Sequence, residues 1–123
     1  MNVVDSSGWL EYFAGSELAE VFSPAIEDLQ SLLVPSISIF EVHKRLLLQQ
    51  GLAHAQRAIE VMKRGSVVPL STEIAIEATH FSIDLKLPMA DSIIYATADI
   101  NDATIWTTDK HFKGLSRVEY RMK

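Results

Sequence analysis

Cysteine is absent from this chain of 123 residues. Its absence excludes disulfide bonds, thiolate nucleophiles and thiolate metal sites, and it is compatible with a reducing cytoplasm. Any metal ion that the protein binds must therefore be held by oxygen atoms or by histidine.

Long apolar segments are also absent. The longest run without a charged residue covers residues 29–40 and contains a proline and three serines, so it does not have the composition of a membrane-spanning helix. The first residues lack both the basic region and the apolar region of a secretory signal peptide. We therefore expect a cytoplasmic protein with no membrane segment.

Positive charge is scarce in the N-terminal part of the chain. Residues 1–28 contain six acidic side chains and no lysine or arginine, whereas residues 110–123 contain five basic side chains and one glutamate. The net charge of -5 argues against a general polyanion-binding protein. A basic segment beside an acidic site would suit a protein that handles phosphodiesters, but a solvated charged edge explains the same composition and is the simpler interpretation.

The pattern of apolar residues predicts strands that alternate with helices. The hydrophobic content of 48% and the length suit one compact domain, residues 1–123. An alternating order of this kind predicts a three-layer α/β/α fold around a mostly parallel sheet of about five strands. The expected strands are residues 2–5, 32–37, 66–70, 103–107 and 118–122. Six helices are expected: one capped at its start by Ser6–Ser7, one over residues 17–30 with an interruption at Pro24, one that begins at Ser38, and three over residues 52–64, 73–86 and 88–98.

Four acidic residues stand next to predicted strands. Asp5 and Asp109 each follow a strand, Glu41 lies in the helix after the second strand, and Asp91 lies in the first turn of the helix before the fourth. Because parallel strands end at a common edge, all four carboxylates could meet there. Such oxygen ligands suit Mg²⁺ or Mn²⁺ and metal-assisted phosphodiester hydrolysis. Two structural roles remain open: Asp5 could cap a helix, and Glu41 could pair with Ser38 in a capping box.

Four segments carry a resemblance to a known family: residues 4–13, 38–42, 91–98 and 107–112. In this order and at this length, the chain resembles PIN-domain proteins, and specifically the VapC-type ribonuclease toxins of type II toxin-antitoxin pairs. The resemblance covers essentially the whole chain. It implies a metal-dependent endoribonuclease that hydrolyses RNA phosphodiester bonds and is inhibited by a cognate VapB-type antitoxin, and it also implies a homodimer.

The resemblance assigns roles to individual residues. It implies that Asp5, Glu41, Asp91 and Asp109 form the catalytic set and hold Mg²⁺ or Mn²⁺, and that Ser6 and Thr107 support this set. In the same scheme the side chains that contact RNA phosphates are Lys110, Lys113 and Arg117, and the side chains that contact the antitoxin are Trp9, Tyr12, Phe13 and Phe22. Two positions depart from the family pattern, with Tyr95 in place of a small residue and His111 in place of a further acid.

Three other interpretations compete with this one. A metal-independent nuclease would use histidines as general acid and base, but His43, His54, His80 and His111 are scattered along the chain. A receiver-like domain would carry an acid after the third strand, where this chain has Leu70-Ser71-Thr72. A non-catalytic PIN-like interaction module is the third alternative, in which the acids only cap helices and the first helices hold a partner.

Overall fold

The computed structural model describes all residues, 1–123, and contains one sheet of five parallel strands. The spatial order is β3-β2-β1-β4-β5, so the first strand is central and the last lies at an edge. Each neighbouring pair is parallel, which places all five carboxyl ends at the same edge of the sheet. The strands are β1 (Asn2–Val4), β2 (Leu32–Pro35), β3 (Ser66–Val68), β4 (Thr104–Thr107) and β5 (Val118–Tyr120).

Six helices cover the two faces of the sheet, as predicted for a three-layer α/β/α fold. Val4 and Val34 point to the face covered by α1 to α4, whereas Val3 and Leu33 point to the face covered by α5 and α6. This alternation follows from the two-residue period of a strand and creates one hydrophobic core on each side. The helices are α1 (Ser6–Ala14), α2 (Ala19–Glu27), α3 (Ser36–Gln50), α4 (Leu52–Met62), α5 (Thr72–Asp84) and α6 (Met89–Ile100), and single 3₁₀ turns occur at Leu29–Ser31 and Lys110–Phe112.

The second strand is shorter than predicted and the helix after it begins earlier. β2 ends at Pro35 and α3 begins at Ser36, so Ser38 is a helical residue and the predicted capping box with Glu41 is wrong. Pro35 has an extended backbone and precedes the first helical turn, where a missing amide proton costs nothing. Ser38 is fully buried and its hydroxyl has no hydrogen-bond partner.

Asp5 caps the first helix, a role that the sequence left open for it, and the predicted cap by Ser6–Ser7 is wrong. A carboxylate oxygen of Asp5 accepts a hydrogen bond from the backbone amide of Gly8 at 3.0 Å. The strand-end aspartate therefore also satisfies one of the free amide groups of α1. The predicted interruption at Pro24 is also wrong. α2 continues through this proline, and the burial of Phe22 and Ile26 stabilises the helix.

No helix in the structure combines the length and the apolar character that a membrane crossing requires.

Candidate metal-binding site

Asp5 lies at the carboxyl edge of the sheet and is held by hydrogen bonds on both of its carboxylate oxygens. Thr107 donates from its hydroxyl to Oδ2 at 2.7 Å, and Ser7 donates to Oδ1 at 2.6 Å. With the amide of Gly8 also bound to Oδ1, the carboxylate has a single orientation set by β4 and α1.

Burial makes the negative charge of Asp5 unfavourable. Only 3% of the residue is exposed, and this desolvation raises the pKa of its carboxyl from 3.8 to about 6. The hydrogen bonds from Ser7, Thr107 and Gly8 act in the opposite direction but do not compensate for it. A cation at this edge would remove the conflict, because an adjacent positive charge favours the ionised form.

Asp91 and Asp109 converge next to Asp5. Asp91 lies in the first turn of α6, and Asp109 follows β4, where the Thr107 hydroxyl accepts a hydrogen bond from the Asp109 amide at 2.8 Å. The pKa of Asp91 is raised to about 7, chiefly by desolvation and then by the charge of Asp109. The two acids therefore repel each other in a site that is poorly solvated.

His111 occupies the space between these two carboxylates. Its Nδ1 lies 2.9 Å from Asp91 Oδ2 and 3.0 Å from Asp109 Oδ1. The neighbouring charge of Asp109 raises the pKa of the imidazole, desolvation opposes this effect, and the charge of Asp91 adds to the increase. His111 is therefore within hydrogen-bond distance of both acids, and a proton on its imidazole would partly offset their repulsion.

Glu41 approaches the same edge from α3. Its Oε1 accepts a hydrogen bond from the Ser6 hydroxyl at 2.5 Å, which ties α3 to the start of α1. The charge of Glu41 adds to the effects that raise the pKa of Asp91, so the two carboxylates repel each other across the site. All four predicted acids are thus placed at one edge of the sheet.

The donor atoms that lie closest together belong to Asp91, Asp109 and His111. One ligand atom of each residue falls within 4.8 Å of the others, a spacing compatible with one shared cation. Asp5 and Glu41 flank this group without belonging to it. The carboxylate oxygens are donors that suit Mg²⁺ or Mn²⁺, whereas the imidazole nitrogen of His111 is not a donor that Mg²⁺ prefers.

The three predicted phosphate-contacting cations do not lie together. Arg117 forms ion pairs with Asp99 at 3.2 Å and Asp102 at 3.5 Å, and it also donates to the carbonyl of Ala103. These partners precede β4, so Arg117 lies at the end of the sheet opposite the acids and its predicted phosphate contact is wrong.

The other two cations differ in their surroundings. Lys110 is exposed directly after Asp109, in a position that agrees with its predicted role. The ammonium group of Lys113 lies 5.8 Å from the ring centroid of Tyr120.

Two of the four predicted antitoxin-contacting residues have no exposed surface. Trp9 and Phe22 are 0% exposed and belong to the core between the sheet and α1 to α4, so they are wrong as direct contacts. The large apolar area of these rings makes burial in the core their most favourable location. Tyr12 and Phe13 remain partly exposed on α1 and keep this assignment as a prediction.

The two residues that depart from the family pattern, Tyr95 and His111, lie in different parts of the structure. Tyr95 is buried on the far side of the sheet, where it contacts Phe81 edge-to-face and stacks on Phe112, and its hydroxyl bonds to Ser116. It is a core residue and does not alter the site.

Only His111 among the four histidines contacts the acids, so the structure offers no histidine pair for acid-base catalysis at this edge.

Sequence reasoning missed the role of Ser7. Besides donating to Asp5, its hydroxyl accepts a hydrogen bond from the Thr108 amide at 3.1 Å and thereby links α1 to the segment after β4. A hydroxyl two residues after a strand-end acid is a local signal for such a contact, but the same pattern also fits a helix cap.

Comparison with known proteins agrees with this architecture. No curated protein sequence matches the chain. A toxin-antitoxin complex from Klebsiella pneumoniae contains a chain of 21% identity and TM-score 0.82, with 97% of this chain and 96% of the other covered. The VapC20 Sarcin-Ricin loop cleaving toxin of Mycobacterium tuberculosis is 15% identical, with TM-score 0.78 and coverage of 94% and 95%.

A DNA-bound VapBC from Salmonella typhimurium is also 15% identical, with TM-score 0.74 and coverage of 98% and 96%. At these identities the likeness concerns the fold. The family model for the PIN domain, however, matches residues 3–118 of the sequence itself. The chain therefore belongs to the PIN domain family.

Proposed function

We propose that this protein is a metal-dependent endoribonuclease toxin that hydrolyses RNA phosphodiester bonds. The observation that carries the proposal is the convergence of Asp5, Asp91 and Asp109 in a desolvated site that raises the pKa of two of them. A desolvated cluster of carboxylates is costly for a fold, whereas it is useful for binding a divalent cation. Membership of the PIN family and the likeness to VapC20, a Sarcin-Ricin loop cleaving toxin, support the same activity.

Asp5, Glu41, Asp91 and Asp109 are the proposed ligands of Mg²⁺ or Mn²⁺. The fit rests on their chemistry, since four hard oxygen donors lie at one edge and repel each other without a cation. When bound, the ion would polarise a water molecule and offset negative charge developing on the scissile phosphate.

The remaining residues of the site position these acids. Ser7 and Thr107 hold both oxygens of Asp5, and Ser6 holds Glu41, so the carboxylates need little reorganisation when substrate arrives. A carboxylate oxygen at this edge can accept a hydrogen bond from the attacking water and orient it toward phosphorus. Lys110, which is exposed beside Asp109, is proposed to contact a substrate phosphate.

We also propose that a VapB-type antitoxin inhibits the enzyme and that the active form is a homodimer. Solved structures of similar fold are described as toxin-antitoxin and VapBC complexes. Partly exposed Tyr12 and Phe13 on α1, together with the acidic N-terminal segment, offer an apolar and negatively charged surface to such a partner.

A cleavage assay with purified, partner-free protein tests the catalytic proposal. Structured RNA is incubated with Mg²⁺ or Mn²⁺, with an EDTA control, for the wild type and for Asp5→Asn and Asp91→Asn. Asp84→Asn is the matched control, because Asp84 is an exposed acid at the end of α5, outside the site. We expect cleavage that requires metal, is lost in both site variants and persists in the control.

Two results would contradict the proposal. Cleavage that survives EDTA would exclude the carboxylate-metal mechanism. Folded wild-type protein that neither cleaves RNA nor binds Mg²⁺ or Mn²⁺ in a calorimetric titration would favour the non-catalytic interaction module.

A further inference from the structure

A groove of about 440 Å³ leaves the acidic site and runs between α1 and α3. Its inner end is formed by Ser6, Glu41 and Thr108, which lie at the site itself, and its α3 wall carries Phe40, Lys44 and Arg45. We propose that this α1–α3 groove binds the single-stranded RNA next to the scissile phosphate, with Lys44 and Arg45 on phosphates and Phe40 on a base. This inference rests on the proposed function and assigns its substrate-binding residues.

The spacing along α3 aligns these residues with the acidic site. Lys44 and Arg45 follow Glu41 by three and four positions, which places them on the same helix face one turn further along. One turn is about 5.4 Å of helix length. If the reacting phosphate of an RNA strand lies at Glu41, the phosphates of the adjacent nucleotides therefore lie near Lys44 and Arg45.

Both cations are available for an external anion. Lys44 and Arg45 are exposed, and neither forms an ion pair with a carboxylate of this chain. Lys123, the third cation lining the groove, is instead paired with Glu11 at 3.2 Å. Because the protein has a net charge of -5, local cations of this kind are needed to bring a polyanion to an acidic site.

Phe40 provides an aromatic surface at the entrance to the site. This residue is 59% exposed although it directly precedes Glu41, and the ammonium group of Lys44 lies 5.8 Å from its ring centroid. Exposed aromatic rings beside cations are the usual platform for unpaired bases, since every base offers a face for stacking. The pair can thus hold one base and its phosphate together.

The composition of the groove favours RNA over a protein segment. Only three of its eleven lining residues are hydrophobic, whereas a groove for an amphipathic helix would be mainly apolar. The polar lining is also continuous with the catalytic acids, which a substrate strand must reach. A protein segment as occupant is therefore the competing outcome of the test.

Binding is measured by fluorescence anisotropy with a labelled single-stranded RNA of about ten nucleotides. Asp5→Asn serves as the background, so that the RNA is not cut during the titration. Lys44→Ala/Arg45→Ala should raise Kd at least about tenfold and reduce the slope of log Kd against log salt by about 1.4, or about 0.7 per phosphate contact. Phe40→Leu should raise Kd at least about fivefold and leave the salt slope unchanged.

Arg57→Ala/Lys63→Ala is the matched control, because it removes two exposed cations outside the groove, one in α4 and one directly after it. It should leave Kd and the slope unchanged, and thermal melts of all variants should coincide because the substituted side chains are at the surface. Equal effects of the two double variants would overturn the proposal, as would unchanged RNA affinity of Lys44→Ala/Arg45→Ala.

Parallel cleavage assays in the wild-type background separate this inference from the proposed function. If the wild type cleaves RNA and the groove variants cleave with unchanged KM, the inference fails and the nuclease stands. If the variants lose RNA binding but the wild type shows no metal-dependent cleavage, the groove stands and the nuclease fails. Absence of RNA binding by Asp5→Asn would overturn the groove as an RNA site and favour a protein segment as its occupant, while the cleavage assay decides the nuclease separately.

Discussion

The hydroxyl of Thr107 connects two acids of the site: it donates to Asp5 Oδ2 at 2.7 Å and accepts from the Asp109 amide at 2.8 Å. Thr107 and Asp5 are 102 positions apart in sequence but lie at the ends of neighbouring parallel strands. One fully buried hydroxyl therefore sets the relative placement of carboxylates from β1 and β4.

Thr107→Val should disturb the site more than the fold. Valine keeps the shape of threonine but leaves Asp5 without one donor and the Asp109 amide without its acceptor, at a cost of about 1–3 kcal/mol in the free energy of unfolding. We expect metal-dependent cleavage to fall at least about tenfold. Thr104→Val, the same substitution at the opposite end of β4, is the control, and equal activity of the two variants would contradict this role of Thr107.

Metal-free protein should lose stability as the pH rises. The folded-state pKa values of Asp5 and Asp91, about 6 and about 7, exceed their usual value of 3.8. The folded chain therefore binds more protons than the unfolded chain in this range, and stability present below about pH 4 is lost as the pH rises through about 6 and 7. For Asp5 the shift corresponds to roughly 3 kcal/mol.

Asp5→Asn isolates this effect, because an amide does not ionise. In EDTA its melting temperature relative to the wild type should be higher at about pH 8 than at about pH 4.5. At about pH 8, saturating Mn²⁺ should bring the melting temperature of Asp5→Asn below that of the wild type, because the metal stabilises the ionised wild type. A difference between the two proteins that does not change with pH would show that Asp5 is not destabilised by its charge.

Gly8→Ala should destabilise the turn that holds Asp5. A Cβ atom at this position would lie 2.6 Å from Val4 Cγ1 and 2.9 Å from a ring carbon of Phe22, both in the core. Such overpacking typically costs about 1–3 kcal/mol, and here it displaces the amide that bonds Asp5. Adding Val4→Ala removes the closest methyl group, so chemical denaturation should show partial recovery, and the absence of recovery would contradict the steric explanation.

Trp9→Ala should act on folding, because Trp9 has no exposed surface and stacks on Phe13 at a centroid distance of 5.6 Å. We expect a loss of about 3–5 kcal/mol in the free energy of unfolding, as for other buried aromatic residues. Phe13→Ala should cost less, because the ring is only partly buried. Urea denaturation compares the two, and equal losses would contradict the assigned burial.

Much of the architecture was predictable because it depends on local periodicity. Apolar runs alternating with amphipathic segments predicted the parallel sheet, and the position of Asp5, Asp91 and Asp109 at strand or helix ends placed them at its carboxyl edge. These predictions are confirmed. Glu41 was also expected near this edge, although its supposed pairing with Ser38 was wrong because α3 starts two residues earlier.

The sequence by itself thus determined the order of the elements, the direction of the strands and the acids delivered to one edge, since each depends on residues close together in the chain. Only the tertiary structure decided which side chains those acids contact, that Trp9 and Phe22 are core residues, and that Arg117 lies at the far end of the sheet. These outcomes depend on packing between segments as much as 102 positions apart, and no local pattern of residues encodes the distance between such segments.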